Sequence, residues 1–128
     1  MTILIICLLI TVLLPYLVKI PLAYAMQKAG GYDNHYPREQ QLRLKGFGAR
    51  ALAAHQNCFE SLAVFSTAAL AAIAVNRVTS TVVTLAIIYV IARVIYLFLY
   101  LLDFAALRST IWFVSIVCCI SILFLCIP

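Results

Sequence analysis

The chain has 128 residues, of which 66% are hydrophobic and 10% are charged, and its formal net charge is +5. A soluble domain of this length needs a polar surface that so few polar residues cannot supply. The composition therefore excludes a soluble protein and predicts one integral membrane domain over residues 1–128. The basic residues form no single basic face, which excludes a nucleic-acid-binding surface.

Four apolar stretches follow one another along the chain, and we expect an all-α integral membrane protein with four transmembrane helices. The predicted helices span residues 2–27, 37–75, 78–102 and 106–127. Each contains the roughly 20 apolar residues that a helix needs to cross about 30 Å of hydrocarbon. The alternation of polar and apolar residues that is typical of a membrane barrel is absent.

The first stretch has a cleaved signal peptide as its alternative interpretation, because Ala23-Tyr24-Ala25 fits a small-x-small cleavage site. Its start, "MTILIICLLI", has no basic residue, and the apolar run is longer than the core of a signal peptide. We therefore interpret it as the first membrane span.

The loop after the first span carries much of the positive charge. Its basic residues are Lys28, Arg38, Arg43 and Lys45, with Arg50 just inside the next helix. The second loop contributes only Arg77, and the third contributes Arg108 opposite Asp103. The positive-inside rule then places the first and third loops in the cytoplasm and both termini on the non-cytoplasmic side.

Turn-forming residues interrupt this first loop. Gly30-Gly31 predict the end of the first helix, and Asp33 and Asn34 are predicted to cap a turn. Pro37 suits the first turn of the second helix, which we expect to enter the lipid at about residues 46–50.

The second predicted helix carries polar residues into the membrane. Arg50, Asn57 and Glu60 fall on one helical face. A charged residue in the middle of a membrane costs about 3 kcal/mol on insertion scales, so this face must meet protein, water or a ligand. His55 points away from it and is interpreted as a helix-contact or headgroup residue.

The third predicted helix supplies matching polar residues. Arg93, Tyr96 and Tyr100 form one stripe, at a depth that brings them opposite the polar face of the second helix. Arg108, at the start of the fourth helix, closes the mouth of a polar groove that opens toward the cytoplasm. A buried Glu60–Arg93 ion pair that fixes helix register is the structural alternative. The excess of arginines and hydroxyls over acids favours an anionic ligand with several carboxylates.

The segments "RALAAHQNCFE", "ARVIYLFLY" and "LRS" resemble the MAPEG family, the membrane-associated proteins of eicosanoid and glutathione metabolism. The loop "YDNHYPR" is similar to that of its small bacterial members, which implies a bacterial inner membrane. The resemblance implies a left-handed four-helix bundle, a homotrimer, and glutathione bound as co-substrate between subunits near the cytoplasmic face. A lipid-facing cleft would hold a lipophilic small molecule.

The resemblance also implies roles for the polar residues. Asn57 and Glu60 would hold the glutathione backbone, and Arg108 would stabilise the thiolate. The residues that would line the same site are Arg50, Arg93, Tyr96 and Tyr100. Catalytic relatives usually have an arginine at the position of Ala53, and this departure leaves two functions open. One is a glutathione transferase or peroxidase that acts on lipophilic electrophiles, and the other is a non-catalytic lipid-binding or scaffold protein.

Two further functions are disfavoured. A small multidrug transporter uses an acidic residue in its first span, and the first span here has none. The five cysteines lie mostly in apolar runs without His or acidic residues at ligand spacing, so no metal site is predicted and a packing role is favoured.

Overall fold

Four long apolar helices and one short polar helix make up the fold in a computed structural model, which describes residues 1–127. The helices are α1 (Thr2–Lys28), α2 (Pro37–Leu42), α3 (Phe47–Ala74), α4 (Ser80–Leu101) and α5 (Ala105–Cys126). All but α2 are long and apolar enough to cross a membrane. The chain is thus a multi-pass integral membrane protein, as the composition predicts.

The prediction of one continuous helix over residues 37–75 is wrong, because the structure has two helices in this range, α2 and α3. The break ends at Gly46, which has φ +55° and ψ −124° and stands immediately before α3. This backbone conformation is open to glycine and closed to most other residues. The chain therefore turns at Gly46 before it enters the membrane span.

Gln40 attaches α2 to the end of α1. Its side-chain Nε2 donates hydrogen bonds to the carbonyl oxygens of Gly31 at 2.6 Å and Met26 at 3.2 Å, and its Oε1 accepts from the backbone N–H of Asp33 at 2.9 Å. Three bonds from one amide hold the loop in a single arrangement.

Asp33 caps the turn before α2, as the sequence predicts. Its carboxylate accepts hydrogen bonds from the backbone N–H groups of His35 at 2.8 Å and Tyr36 at 3.0 Å. These bonds, the one from Tyr36 above all, stabilise the charged form and lower the pKa of the Asp33 carboxyl.

The four long helices form an antiparallel bundle. α1 packs mainly against α3 and α5 mainly against α4, while α3 and α4 also contact each other. The connections at residues 75–79 and 102–104 are short, so α4 runs opposite to α3 and α5 opposite to α4. The order of the contacts between α1 and α3 shows that these two helices are also antiparallel. Asn76 and Asp103 each adopt a positive φ in these connections, a common way to end a helix.

Small residues line the inner face of α3 and allow close packing. Ala51, Ala54 and Ala68 are fully buried, and a Cβ added at Gly48 would come within 3.2 Å of the Ala25 Cβ on α1. Because lipid is as apolar as the protein interior, close van der Waals contact of this kind is a main source of helix association in membranes.

Hydrogen bonds between helices supplement this packing. His55 Nδ1 lies 2.9 Å from the carbonyl oxygen of Pro15, so His55 is a helix-contact residue that joins α3 to α1. The Tyr89 hydroxyl donates to the carbonyl oxygen of Ser61 at 2.9 Å and joins α4 to α3. The Tyr89 ring also stacks on Phe65, with ring centroids 4.1 Å apart.

Substitution of Gly46 by alanine tests the break between α2 and α3. No atom lies within 4 Å of the added Cβ, so the substitution acts through backbone strain alone. We expect a loss of about 1–3 kcal/mol and a lower melting temperature in detergent. Lys45→Ala, at the neighbouring position, is the control and should melt like the wild type. An unchanged melting temperature for Gly46→Ala would contradict the described turn.

Candidate functional site

Two aromatic rings with a guanidinium group at either end form a column that runs along α4 to the first turn of α5. The Arg93 guanidinium lies 4.1 Å from the centroid of the Tyr96 ring, and that ring meets Tyr100 edge-on at 5.5 Å. The Arg108 guanidinium then covers Tyr100 at 4.1 Å. The spacing i, i+3, i+7 in α4 places the first three residues on one face, and the turn to α5 adds the fourth. We call this set of four residues the polar column.

Asn57 connects the polar column to α3. An Nη of Arg93 donates a 2.7 Å hydrogen bond to Asn57 Oδ1, and Asn57 Nδ2 donates a 3.0 Å hydrogen bond to Glu60 Oε2. No carboxylate lies within 4.0 Å of Arg93 among residues 1–127. The alternative prediction of a direct Glu60–Arg93 ion pair is therefore wrong. The side-chain amide of Asn57 lies between the two charged groups, accepting a hydrogen bond from Arg93 and donating one to Glu60.

Arg93 is buried with an unused donor. Its exposed fraction is 1%, and its Nε has no hydrogen-bond partner among residues 1–127. A buried guanidinium is costly unless its donors are paired and its charge is compensated. The Asn57 amide oxygen pairs one donor and the Tyr96 ring face compensates part of the charge. An anionic ligand could therefore still pair with this guanidinium group.

Two cavities lie beside the polar column. One has a volume of about 430 Å³ and is lined by Tyr96, Tyr100, Arg108, Ser109, Trp112 and Phe113. The other, of about 130 Å³, is lined by residues that include Asn57, Glu60, Arg93, Tyr89, Trp112 and Ser115. Trp112 lines both, so six of the seven predicted site residues surround two adjoining cavities that share one wall.

Arg50 is the predicted site residue that lines neither cavity. Its Nε donates a 3.3 Å hydrogen bond to the carbonyl oxygen of Leu101, and an Nη lies 3.6 Å from Asp103 Oδ2. Both partners belong to the corner between α4 and α5. Arg50 therefore holds the corner that precedes Arg108.

Sequence reasoning missed Trp112, Ser115 and Asp103. Arg108, Trp112 and Ser115 have the spacing i, i+4, i+7 and therefore share one face of α5, a signal that the sequence contains. Asp103 offered only a weaker signal, as one of few acidic residues opposite several arginines.

The charge balance of the site is positive. Arg93 and Arg108 have no carboxylate within 4.0 Å in residues 1–127, and Glu60 is the one acidic residue among the cavity linings. Ala53 lies one turn before Asn57 and brings no further cation. Two guanidinium groups and two phenols in excess of one carboxylate suit an anion with more than one acidic group.

One known protein family matches nearly the full length of the chain. The sequence model of the MAPEG family matches residues 3–128. No curated protein and no solved structure matches the chain significantly.

Removal of the Asn57 side chain tests the link between α3 and the polar column. Asn57→Ala deprives a buried cation of its hydrogen-bond acceptor, and we expect a loss of about 1.5–3 kcal/mol in stability, measured by denaturation in mixed micelles. Gln56→Ala alters an exposed neighbour and serves as the control. Asn57→Asp keeps an acceptor and should be more stable than Asn57→Ala; equal stability of all variants would contradict the described link.

Proposed function

The chain belongs to the MAPEG family, and from this membership and the geometry of the polar column we propose that it is a membrane glutathione-dependent transferase or peroxidase acting on lipophilic electrophiles. Glutathione is the co-substrate in this proposal. It binds between subunits of a homotrimer, near the cytoplasmic face of what would be a bacterial inner membrane.

The observation that carries the proposal is the pair of uncompensated guanidinium groups at the ends of the polar column. Glutathione has two carboxylates and a thiol that becomes an anion, so it can supply the charges that Arg93 and Arg108 lack. Asn57 and Glu60 complete the set with an amide and an acceptor for the glutathione ammonium group. The phenols of Tyr96 and Tyr100 lie between the two cations and can donate to the same ligand.

The exposure of Glu60 supports the homotrimer. Its side chain is exposed on the isolated subunit, midway along the membrane helix α3. A carboxylate at that depth is costly against lipid, so protein must cover it. A second subunit against α3 would provide that cover and would close the cavities from the side.

Arg108 has the position expected of the residue that activates the thiol. It lies at the cytoplasmic end of the polar column in the predicted orientation, and it lines the larger cavity. A guanidinium next to the sulfur lowers the pKa of the thiol and favours the thiolate, which is the nucleophile. The thiolate then attacks an electrophilic carbon, a C–S bond forms, and the electron pair leaves with a leaving group or takes up a proton.

The lipophilic substrate would enter from the membrane. Trp112 and Phe113 line the larger cavity and are also exposed on the outer surface of α5. An apolar molecule dissolved in lipid therefore has a route to the sulfur that does not cross water.

Substitution of Arg108 tests the enzymatic proposal. We expect wild-type protein to conjugate glutathione to a lipophilic electrophile, and Arg108→Ala to lower kcat by about 100-fold or more, because charge stabilisation at the sulfur is lost. The remaining activity should rise with pH, since the thiol pKa increases when the cation is removed. Arg77→Ala, which removes a cation at the other end of the bundle, should retain wild-type kcat.

A non-catalytic lipid-binding or scaffold protein is the second candidate function, favoured by Ala53 at the position of the arginine that catalytic relatives carry. Calorimetry on the detergent-purified wild type separates the two. Saturable glutathione binding without conjugation or peroxide reduction across an electrophile panel supports the second function, and turnover excludes it.

The role of Arg50 is tested by a comparison with its partner. If Arg50 holds the α4–α5 corner, Arg50→Gln and Asp103→Asn should change glutathione affinity equally and by no more than about fivefold, the range of an exposed ion pair. If Arg50 contacts glutathione directly, Arg50→Gln should weaken binding far more than Asp103→Asn. Calorimetric titration of both variants measures the difference.

A further inference from the structure

A cavity of about 1020 Å³ lies apart from the polar column, at the end of the bundle formed by the loop between α1 and α3. Its walls include the last turn of α1, the loop, α2 and the first residues of α3. The lining residues that matter below are Tyr24, Lys28, Tyr36, Arg43, Lys45 and Phe47. None of the residues in the polar column lines this cavity.

The cavity is positively charged once its internal pairs are subtracted. Glu39 pairs with Arg43 at 3.7 Å, which leaves two lysines in the wall against one carboxylate, that of Asp33, which accepts two backbone hydrogen bonds. Lys28 and Lys45 have no carboxylate within 4.0 Å in the described part of the chain. Lys28 Nζ lies instead 5.1 Å from the centroid of the Tyr24 ring. Two lysines are thus available to an anion.

The wall of this cavity is held in place by the protein. Gln40, which lines it, makes the three hydrogen bonds that tie α2 to the end of α1. The cavity therefore has a defined shape before any ligand binds.

Its position is the boundary between lipid and water. Lys28 ends one membrane span and Phe47 begins the next, so the cavity lies at the level of the lipid headgroups whichever way the bundle is oriented. Tyr24 and Tyr36 suit this level, where aromatic residues are enriched. Along α1 below the cavity, Leu17 and Ile20 are exposed and apolar, a surface that fits acyl chains.

We infer that this cavity binds the headgroup of an anionic phospholipid, with Lys28 and Lys45 facing the phosphate and the acyl chains lying along α1. Basic pockets at the ends of membrane helices recognise such headgroups through charge. The volume of about 1020 Å³ slightly exceeds the roughly 300–1,000 Å³ typical of ligand sites and is more than a phosphate ion fills. The inference goes beyond the proposed function and requires neither glutathione binding nor turnover.

The test is a lipid titration of the full-length detergent-purified protein, read by native mass spectrometry. Phosphatidylglycerol and phosphatidylcholine with identical acyl chains are compared. We expect preferential retention of phosphatidylglycerol, and about fivefold weaker binding in Lys28→Gln and in Lys45→Gln, the change that corresponds to about 1 kcal/mol per cation at a charged interface.

Arg77→Gln is the matched control, because it removes one positive charge from the opposite end of the bundle. It should bind phosphatidylglycerol like the wild type, and all variants should show the same oligomeric state and melting temperature. Equal losses in Arg77→Gln and the lysine variants would show unspecific charge attraction and overturn the inference.

Two further outcomes would also overturn it. Equal retention of phosphatidylcholine and phosphatidylglycerol would mean that the cavity does not recognise the headgroup, or that a neighbouring subunit fills it. Inorganic phosphate that binds as tightly as phosphatidylglycerol would identify the site as one for a soluble phosphate group rather than a lipid. Preferential lipid binding that both lysine variants weaken supports it.

Discussion

The burial of one guanidinium group inside a membrane bundle is the constraint on which the polar half of this structure depends. Arg93 is 1% exposed, and the lipid around the bundle offers no water to solvate its charge. Asn57 supplies a hydrogen-bond acceptor and Tyr96 a ring face, and the Nε–H of Arg93 has no partner in the described part of the chain. The neighbouring side chains are arranged around this charge, and a bound anion would compensate it more completely.

The polar residues divide the bundle into regions with different tasks. Phe65 stacks on Tyr89 in one apolar cluster, whereas Cys58 belongs to a second cluster that includes Tyr96 of the polar column. The first cluster gives α3 and α4 a fixed separation. That separation lets an arginine on α4 reach an amide on α3 with a 2.7 Å hydrogen bond.

The polar column and the loop cavity are both positively charged and lie in the same half of the molecule, but we propose different ligands for them. The polar column lies between α4 and α5, whereas the loop cavity lies at the end of α1 and α2. Arg50 belongs to neither, because its partners at the α4–α5 corner occupy it. Basic residues that are close in sequence therefore have different locations, since Lys45 lines the loop cavity and Arg50 lies at the α4–α5 corner.

Sequence alone determined the number of membrane helices, the grouping of Arg93, Tyr96 and Tyr100 on one face, and the family resemblance. These properties are local, since helix length and the 3.6-residue period follow from composition and spacing within one segment. Only the tertiary structure decided that Asn57 stands between Glu60 and Arg93, that Arg50 meets Asp103, and that the chain turns at Gly46 before α3 begins. Such contacts depend on the relative rotation and depth of different helices and on a backbone angle at one residue, and the periodicity of a single segment contains neither.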